Sequence, residues 1–253
     1  MQDFIDIFPS VALRINSRYF IFAGCSFLLF YVLLKNKLLS RKIQDDFPAK
    51  TEYRREIIFS LISMSIFAFI ATFIFSVARP YTFLYQDINQ YGYPYFFLSI
   101  GLMILINDAY FYWMHRLMHH PFLYRKIHLI HHRSTNPSPW TAYAFHPIEA
   151  VIEAGILVLI VFVLPCHVMA LISFFLFQIM YNVYGHLGYE LYPAKLNQHK
   201  WGKWLNTSVA HNQHHHHFEG NYGLYFTFWD RLMGTLRADY DRAYTYAKKN
   251  EPK

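Results

Sequence analysis

Long uncharged apolar stretches alternate with short basic or aromatic ones, and their lengths set the class of the chain. Ile57 to Ala78 is an uncharged run of 22 residues, enough to cross a hydrocarbon core of about 30 Å at about 1.5 Å per helical residue. Tyr19 to Leu34 is a second uncharged run, extended by Leu38 and Leu39 past lysines that can snorkel. Residues 1–18, with Asp3, Asp6, Arg14 and Arg18 among scattered apolar positions, are expected to form a short interfacial segment ahead of it. A third span is predicted from Tyr93-Pro94 through Asn107, continuing without a breaker to His119 and stopping at Pro121. Ala154 to Gly185 is uncharged for 32 residues, about 48 Å as one helix and too long for one crossing. Pro165 in its middle predicts a hairpin, Pro147 to Leu164 out and Val168 to Tyr184 back.

This pattern predicts an all-α integral membrane protein with about four transmembrane helices, the last two a hairpin broken at Pro165, beneath a cytosolic helical cap. Composition agrees: 55% hydrophobic and 15% charged residues are unusual for a soluble domain. The net charge of +7 comes from Lys and Arg between the apolar runs, not from one stripe with exposed aromatics, so nucleic acid is not the expected partner. Lys35, Lys37, Arg41, Lys42, Lys50, Arg54 and Arg55 crowd the loop after the first span, which assigns that loop to the cytoplasm. Lys195, Lys200 and Lys203 interleave with Trp201 and Trp204, as in a segment lying against headgroups. No cleavable signal-peptide pattern appears, and Cys25 and Cys166 form no metal or disulfide motif.

The candidate chemistry lies in HRLMHHPFLYRKIHLIHH, residues 115–132, which holds six of the fifteen histidines. His115 and His119 share a helical face, and His128 falls three and four residues before His131 and His132. His211, His214 and His215 repeat that spacing near the C-terminus. Eight imidazoles exceed the four or so that one structural zinc takes, so a dinuclear metal centre is expected. His186 is a ninth candidate ligand, with Glu190 four residues on to orient it. Asp108, seven residues before His115 on the same face, is a candidate to receive a ligand N–H or relay a proton, which makes Asp108 and Glu190 the candidate catalytic carboxylates. His120, His216 and His217 point off the shared faces, and His146-Pro147 with Glu149 reads as a helix start. The third box joins the others only if the Pro165 hairpin returns the chain to the same membrane face.

Neutral imidazoles without thiolates leave a metal strongly electrophilic. Iron so held reduces dioxygen and attacks unactivated C–H bonds, whereas zinc activates water for hydrolysis. Spacing alone leaves both open, together with a metal transporter or metal-binding membrane protein, although transport sites lie near the bilayer midplane on a polar path.

The segments HRLMHH, HLIHH, AFHPIEA (144–150), HNQHHHHFEGNYG and FWDRLMGTLR resemble, in order and interval, the fatty acid hydroxylase superfamily, and most closely its sterol C5-desaturase branch. The resemblance covers about Asn107 to Arg237. It implies one membrane-embedded domain over residues 1–253, with its catalytic part at about 95–237. It also implies a lipid substrate, two iron ions for which zinc may substitute, and O2 as co-substrate. His115, His119, His128, His131, His132, His211, His214 and His215 become metal ligands by that match, and His186 gains support. No cytochrome b5-like domain is fused to the chain, so the implied electron donor is a separate cytochrome b5-like, ferredoxin-like or reductase partner. His216 and His217 depart from the pattern. The expected location is a multi-pass membrane protein with its boxes facing the cytoplasm, in a bacterial inner membrane or the endoplasmic reticulum.

Overall fold

In the computed structural model, residues 2–247 are described; the basic tail from Arg231 to Lys253 is expected from the sequence to be cytoplasmic, and its end, 248–253, lies outside the described residues. Five long helices carry the bundle: α1 (Gln2–Phe27), α2 (Lys50–Phe73), α3 (Gly92–Met118), α4 (Pro147–Val163) and α5 (Val168–Gly185). With their π- and 3-10-helical extensions, four are long and apolar enough to cross a membrane: Asp3–Leu33, Lys50–Tyr81, Gly92–Met118 and Val168–Gly185. α4 adds 17 residues, about 26 Å, to form the other limb of the hairpin. Outward-facing Leu13, Ile21, Phe69, Phe97, Leu105 and Val163 stay exposed, which costs little where lipid is the solvent. Inside, Tyr19, Met64, Ala68, Met103, Ile160 and Phe174 make one continuous core.

The hairpin forms as its sequence predicts. His167 caps α5 by accepting from Met169 N–H, and α4 starts with Pro147 at its first turn after His146 accepts from Ile148 N–H. Its tip is held at the far end of the bundle. There β1 (Leu84–Tyr85) pairs in parallel with β2 (Cys166–His167), and Tyr95 Oη donates to the Pro165 carbonyl at 2.9 Å. At the other end Tyr31 Oη donates to the Leu187 carbonyl, and Tyr189 Oη to Phe30. α3 and α5 therefore finish at the same end at which α2 and α4 begin.

The first span corrects the sequence reading. No separate interfacial segment precedes it: one helix starts at Gln2 and carries Arg14 and Arg18 within it. Those two arginines border a cavity inside the bundle, which removes the reason for placing the segment in the interface. A second irregular piece, the chain around Ser138–Phe145, threads between the helices. Tyr19 and Ser60 donate to the Trp140 carbonyl and Asn182 donates to that of Ala142. Non-helical backbone at this depth is tolerated because protein groups satisfy it.

The cap is built from short pieces, of which α6 (Ser208–His217) and α7 (Tyr240–Ala247) are the longest. Thr207 caps α6 by accepting from Ala210 N–H. Trp201 remains 70% exposed, with Lys200 against its ring, beside a 3-10 turn at Gly202–Trp204.

Candidate metal centre

Four backbone segments converge on one point at the inner end of the bundle. α3 brings His115 in its last turn and His119 at its C-cap. After Pro121 a π-helical turn, Tyr124–His128, runs into a short helix, Leu129–His132, and supplies the second box. π-turns widen the helical repeat and are frequent at functional sites. α6 supplies His211, His214 and His215, and His186 caps the end of α5.

The nine imidazoles form two groups. His115, His119, His128, His132 and His214 make one, and His131, His186, His211 and His215 the other, with the ligand nitrogens of each group within 4.8 Å of one another. Neighbours in sequence are shared out, His131 against His132 and His214 against His215, so the second and third boxes each serve both groups, while His115 and His119 both serve the first. In the first group His132 Nε2 lies 3.1 Å from the Nε2 atoms of His119, His128 and His214. In the second His211 Nε2 lies 2.9 Å from His186 and 3.2 Å from His215, and His186 lies 3.3 Å from His131. Lone pairs so close repel unless a proton or a cation sits between them. A cation about 2.0–2.1 Å from each imidazole nitrogen gives ligand–ligand edges of about 3.0–3.4 Å, so the residues fit a pair of metal ions.

Outward-facing Nδ1 atoms fix the tautomers. His115 donates to the Tyr222 carbonyl (3.0 Å), His186 to Asn182 (2.8 Å), His214 to Gly220 (2.7 Å) and His215 to Ser134 (3.0 Å). A carbonyl only accepts, so Nδ1 holds the proton and Nε2 keeps its lone pair for the centre. His128 Nδ1 lies 2.7 Å from Glu149 Oε1, and both side chains are buried. Burial first, and the crowd of other imidazoles second, hold His128, His132, His211 and His215 well below the usual histidine pKa. His186 falls to about 4, again chiefly by burial. The uncharged, ligand-competent form is therefore the one present at neutral pH.

The two carboxylates expected to be catalytic take other partners. Asp108 accepts from the backbone N–H groups of Tyr225 and Phe226 at 2.9 and 3.1 Å, fastening the loop after α6 to α3. Glu190 accepts from Tyr184 Oη and from the backbone of Tyr192 and Val209, tying α6 to α5. The residue that orients His186 is Asn182, not Glu190. Asp230 grips the same loop as Asp108, through the Tyr222 and Gly223 N–H groups. Gly220 has φ +74, and a Cβ there would sit 2.7 Å from the Thr235 carbonyl oxygen, so glycine alone presents its carbonyl to His214 without strain.

Sequence reasoning missed Glu149, whose HPIE setting reads as a plain helix start. It also missed Glu56, which is fully buried in α2 and accepts from Ser134 Oγ (2.8 Å) and Ser138 Oγ, thereby holding the residue whose carbonyl takes His215. His120, His216 and His217 are exposed, as their off-face positions predict.

A sequence model of the fatty acid hydroxylase family matches residues 100–235, which span all nine converging histidines. The chain belongs to the fatty acid hydroxylase family. Its relatives lie in the sterol C5-desaturase branch. Human lathosterol oxidase is 28% identical over 224 residues, covering 87% of this chain and 71% of that protein. A Delta(7)-sterol 5(6)-desaturase of Leptosphaeria maculans is 30% identical over 230 residues, 89% of this chain and 60% of the fungal protein. One of Gibberella zeae is 31% identical over 221 residues, 87% of this chain and 59% of its own. No solved structure matches the chain. The family, the apolar helices and the histidine cluster together make this a multi-pass membrane oxidoreductase of the sterol desaturase and fatty acid hydroxylase type.

Proposed function

We propose that the protein is a di-iron, O2-dependent oxidoreductase that desaturates or hydroxylates an unactivated C–H of a membrane lipid, a sterol before a fatty-acyl chain. The observation that carries this reading is the convergence of nine neutral imidazoles, without a thiolate, into two groups at the mouth of an apolar bundle. His115, His119, His128, His132 and His214 would hold one iron, and His131, His186, His211 and His215 the other. When bound, the pair supplies the reduction of O2 that breaking such a C–H bond requires. Two electrons come from a separate cytochrome b5-like, ferredoxin-like or reductase partner.

The chain's own groups do the rest. Glu149 holds His128 by its Nδ1 and raises its basicity, while the Tyr222, Gly220, Asn182 and Ser134 carbonyls keep four other rings in one tautomer and one orientation. Phe145 packs on the His131 ring with centroids 5.0 Å apart and shields it on the bilayer side. The basic loop after α1 lies at the histidine end, which supports a cytoplasmic centre by the positive-inside rule.

The test is protein purified from iron-replete cells, assayed for bound metal and for conversion of lathosterol with a reductant, with and without O2. Two irons per chain and O2-dependent loss of substrate, both abolished in His211→Ala, are expected. A metal-free protein, or full activity in His211→Ala, overturns the reading. Cleavage of a lipid ester that persists without O2 and after iron chelation would mark a zinc hydrolase instead.

A further inference from the structure

A cavity of about 640 Å³ lies between α1, α2, α4 and α5, a volume in the range of sites for lipid-sized ligands. Val11, Phe67, Leu157 and Leu171 give it apolar walls, and from Ile7 to Arg18 it follows α1 for about 16 Å. On its α5 side Ile172 and Leu176 line it and are also 39% and 41% exposed on the outside of the bundle, so it opens sideways to where lipid lies. One end reaches Arg79 and Val168, at the termini away from the histidines.

The inner end is closed by one short stretch, Tyr143 to Phe145. Phe145 N–H donates to the Tyr143 carbonyl at 2.8 Å around Ala144, whose φ -75 and ψ 66 make an inverse γ-turn. Both rings flanking that turn pack on Phe67, Tyr143 at 5.2 Å and Phe145 at 6.5 Å between centroids. The backbone of Phe145 is held in its turn, because Ser63 Oγ donates to its carbonyl and the next residue, His146, caps α4. Polar groups at this end mostly serve one another: the Arg18 side chain reaches the Tyr143 hydroxyl, which donates to Gln178 Oε1 at 3.2 Å, and Arg18 Nε alone of these is left without a partner. Phe145 faces both ways. Its ring lines the cavity, is 4% exposed, and lies 5.0 Å, centroid to centroid, from the ring of His131.

We propose that this cavity is the chamber in which the substrate sterol lies, entered sideways from the bilayer, and that Phe145 determines which carbon is oxidised. Its ring is the partition at which the leading end of the sterol stops beside the His131 group. A chamber walled by four helices is wide for a single acyl chain and suits a plate of fused rings. Residue 145 then acts by volume. A smaller side chain lengthens the chamber toward His131 and lets the sterol advance, which brings a carbon farther from its leading end to the centre. This deepens the oxidoreductase reading above and rests on it for the chemistry, while the binding of the sterol can be tested without turnover.

The first arm uses zinc-loaded protein in lipid nanodiscs, irradiated with a lathosterol analogue that carries a diazirine in its ring system, with labelled peptides mapped and metal content read on every sample. Label is expected on the cavity-lining peptides of α1 and α4 and on Phe145, and excess lathosterol should remove it. Ala71→Phe fills the cavity one turn outward of Phe67 and should cut this labelling about tenfold with metal content unchanged. Phe145→Ala should move label onto the peptide that carries His131, about fivefold above wild type, and Phe145→Leu should move less. In the second arm, iron-loaded Phe145→Ala given O2 and a reductant should release a second product, oxidised at another carbon. The assignment is overturned if label falls on outward residues such as Phe97 and Leu105 with the cavity unmarked, if Ala71→Phe leaves labelling as it was, or if Phe145→Ala keeps either the label or the single product of the wild type. Iron-loaded wild-type protein that oxidises no sterol would defeat the oxidoreductase reading, while the zinc arm still decides the chamber.

Discussion

The histidine end of this bundle and the cavity between its helices handle most of their buried polar groups differently. At the histidine end, backbone carbonyls and Glu149 take the Nδ1 atoms of five rings, and Asp108, Asp230 and Glu56 hold the loops that carry those partners. Within α1, Arg18 Nε keeps an unused donor beside a cavity. The contrast follows from what each place has to do. A metal site works only if its ligands wait in one geometry, so most of their capacity is spent in advance, although the Nδ1 atoms of His131 and His132 and Glu149 Oε2 are left without a partner. A substrate site has to keep capacity for a molecule that comes and goes.

Ligand removal should break the histidine end most severely. His214→Ala and His211→Ala each take one nitrogen from a different group, and each is expected to lower activity by more than about 100-fold, beyond the usual cost of disturbing a partner behind a ligand. Metal analysis should then show about one iron lost in each variant. His120→Ala and His216→Ala, on exposed rings, should keep full metal and activity. Equal loss from the exposed and the buried histidines would erase the distinction drawn between them.

Acid should break the same end and spare the cavity. Burial lowers the folded pKa of His186 from 6.5 to about 4, and its neighbours in the cluster shift the same way. The unfolded chain therefore takes up protons first as pH falls, and the metal-free protein loses stability between about pH 6.5 and pH 4, with none of this penalty above 6.5. Thermal unfolding of the metal-free protein across that window checks the sign. A flat profile would mean that the rings are not buried as neutral groups.

How much of this was legible in the sequence depended on distance along the chain. The box spacings and uncharged runs are local patterns with a fixed helical period, so His115 with His119, the Pro165 hairpin and the shared membrane face could all be read. The partners that lock the boxes could not. His128 meets Glu149 across 21 residues, His215 meets Ser134 across 81, and Ser134 meets Glu56 across 78, and no period connects such pairs. Arg14 and Arg18 misled for the complementary reason. Charges near an apolar run read as an interface until the cavity beside them is seen.

Glu149→Gln sharpens the comparison at a smaller scale. The amide keeps the size of the side chain and replaces the acid that faces His128 Nδ1, for an expected loss of about 10- to 100-fold in metal affinity. Iron titration of the variant should show weaker binding with the helical circular dichroism of the wild type. Unchanged affinity would reduce Glu149 to packing.

The smallest effect belongs to Asp108, and it separates two roles. Its carboxylate spends one oxygen on two backbone N–H groups, of Tyr225 and Phe226, in the stretch that follows Tyr222, whose carbonyl takes His115. Asp108→Asn keeps an acceptor there but loses the charge that strengthens both bonds, for a cost of about 1–2 kcal/mol. Stability should drop by that amount, while turnover in the folded variant stays within about threefold of wild type and keeps its pH profile. A proton relay would behave in reverse, with stability held and turnover falling steeply, because the amide carries no exchangeable acid. The ratio of the two losses thus tells whether this buried acid belongs to the scaffold that presents the ligands or to the chemistry itself.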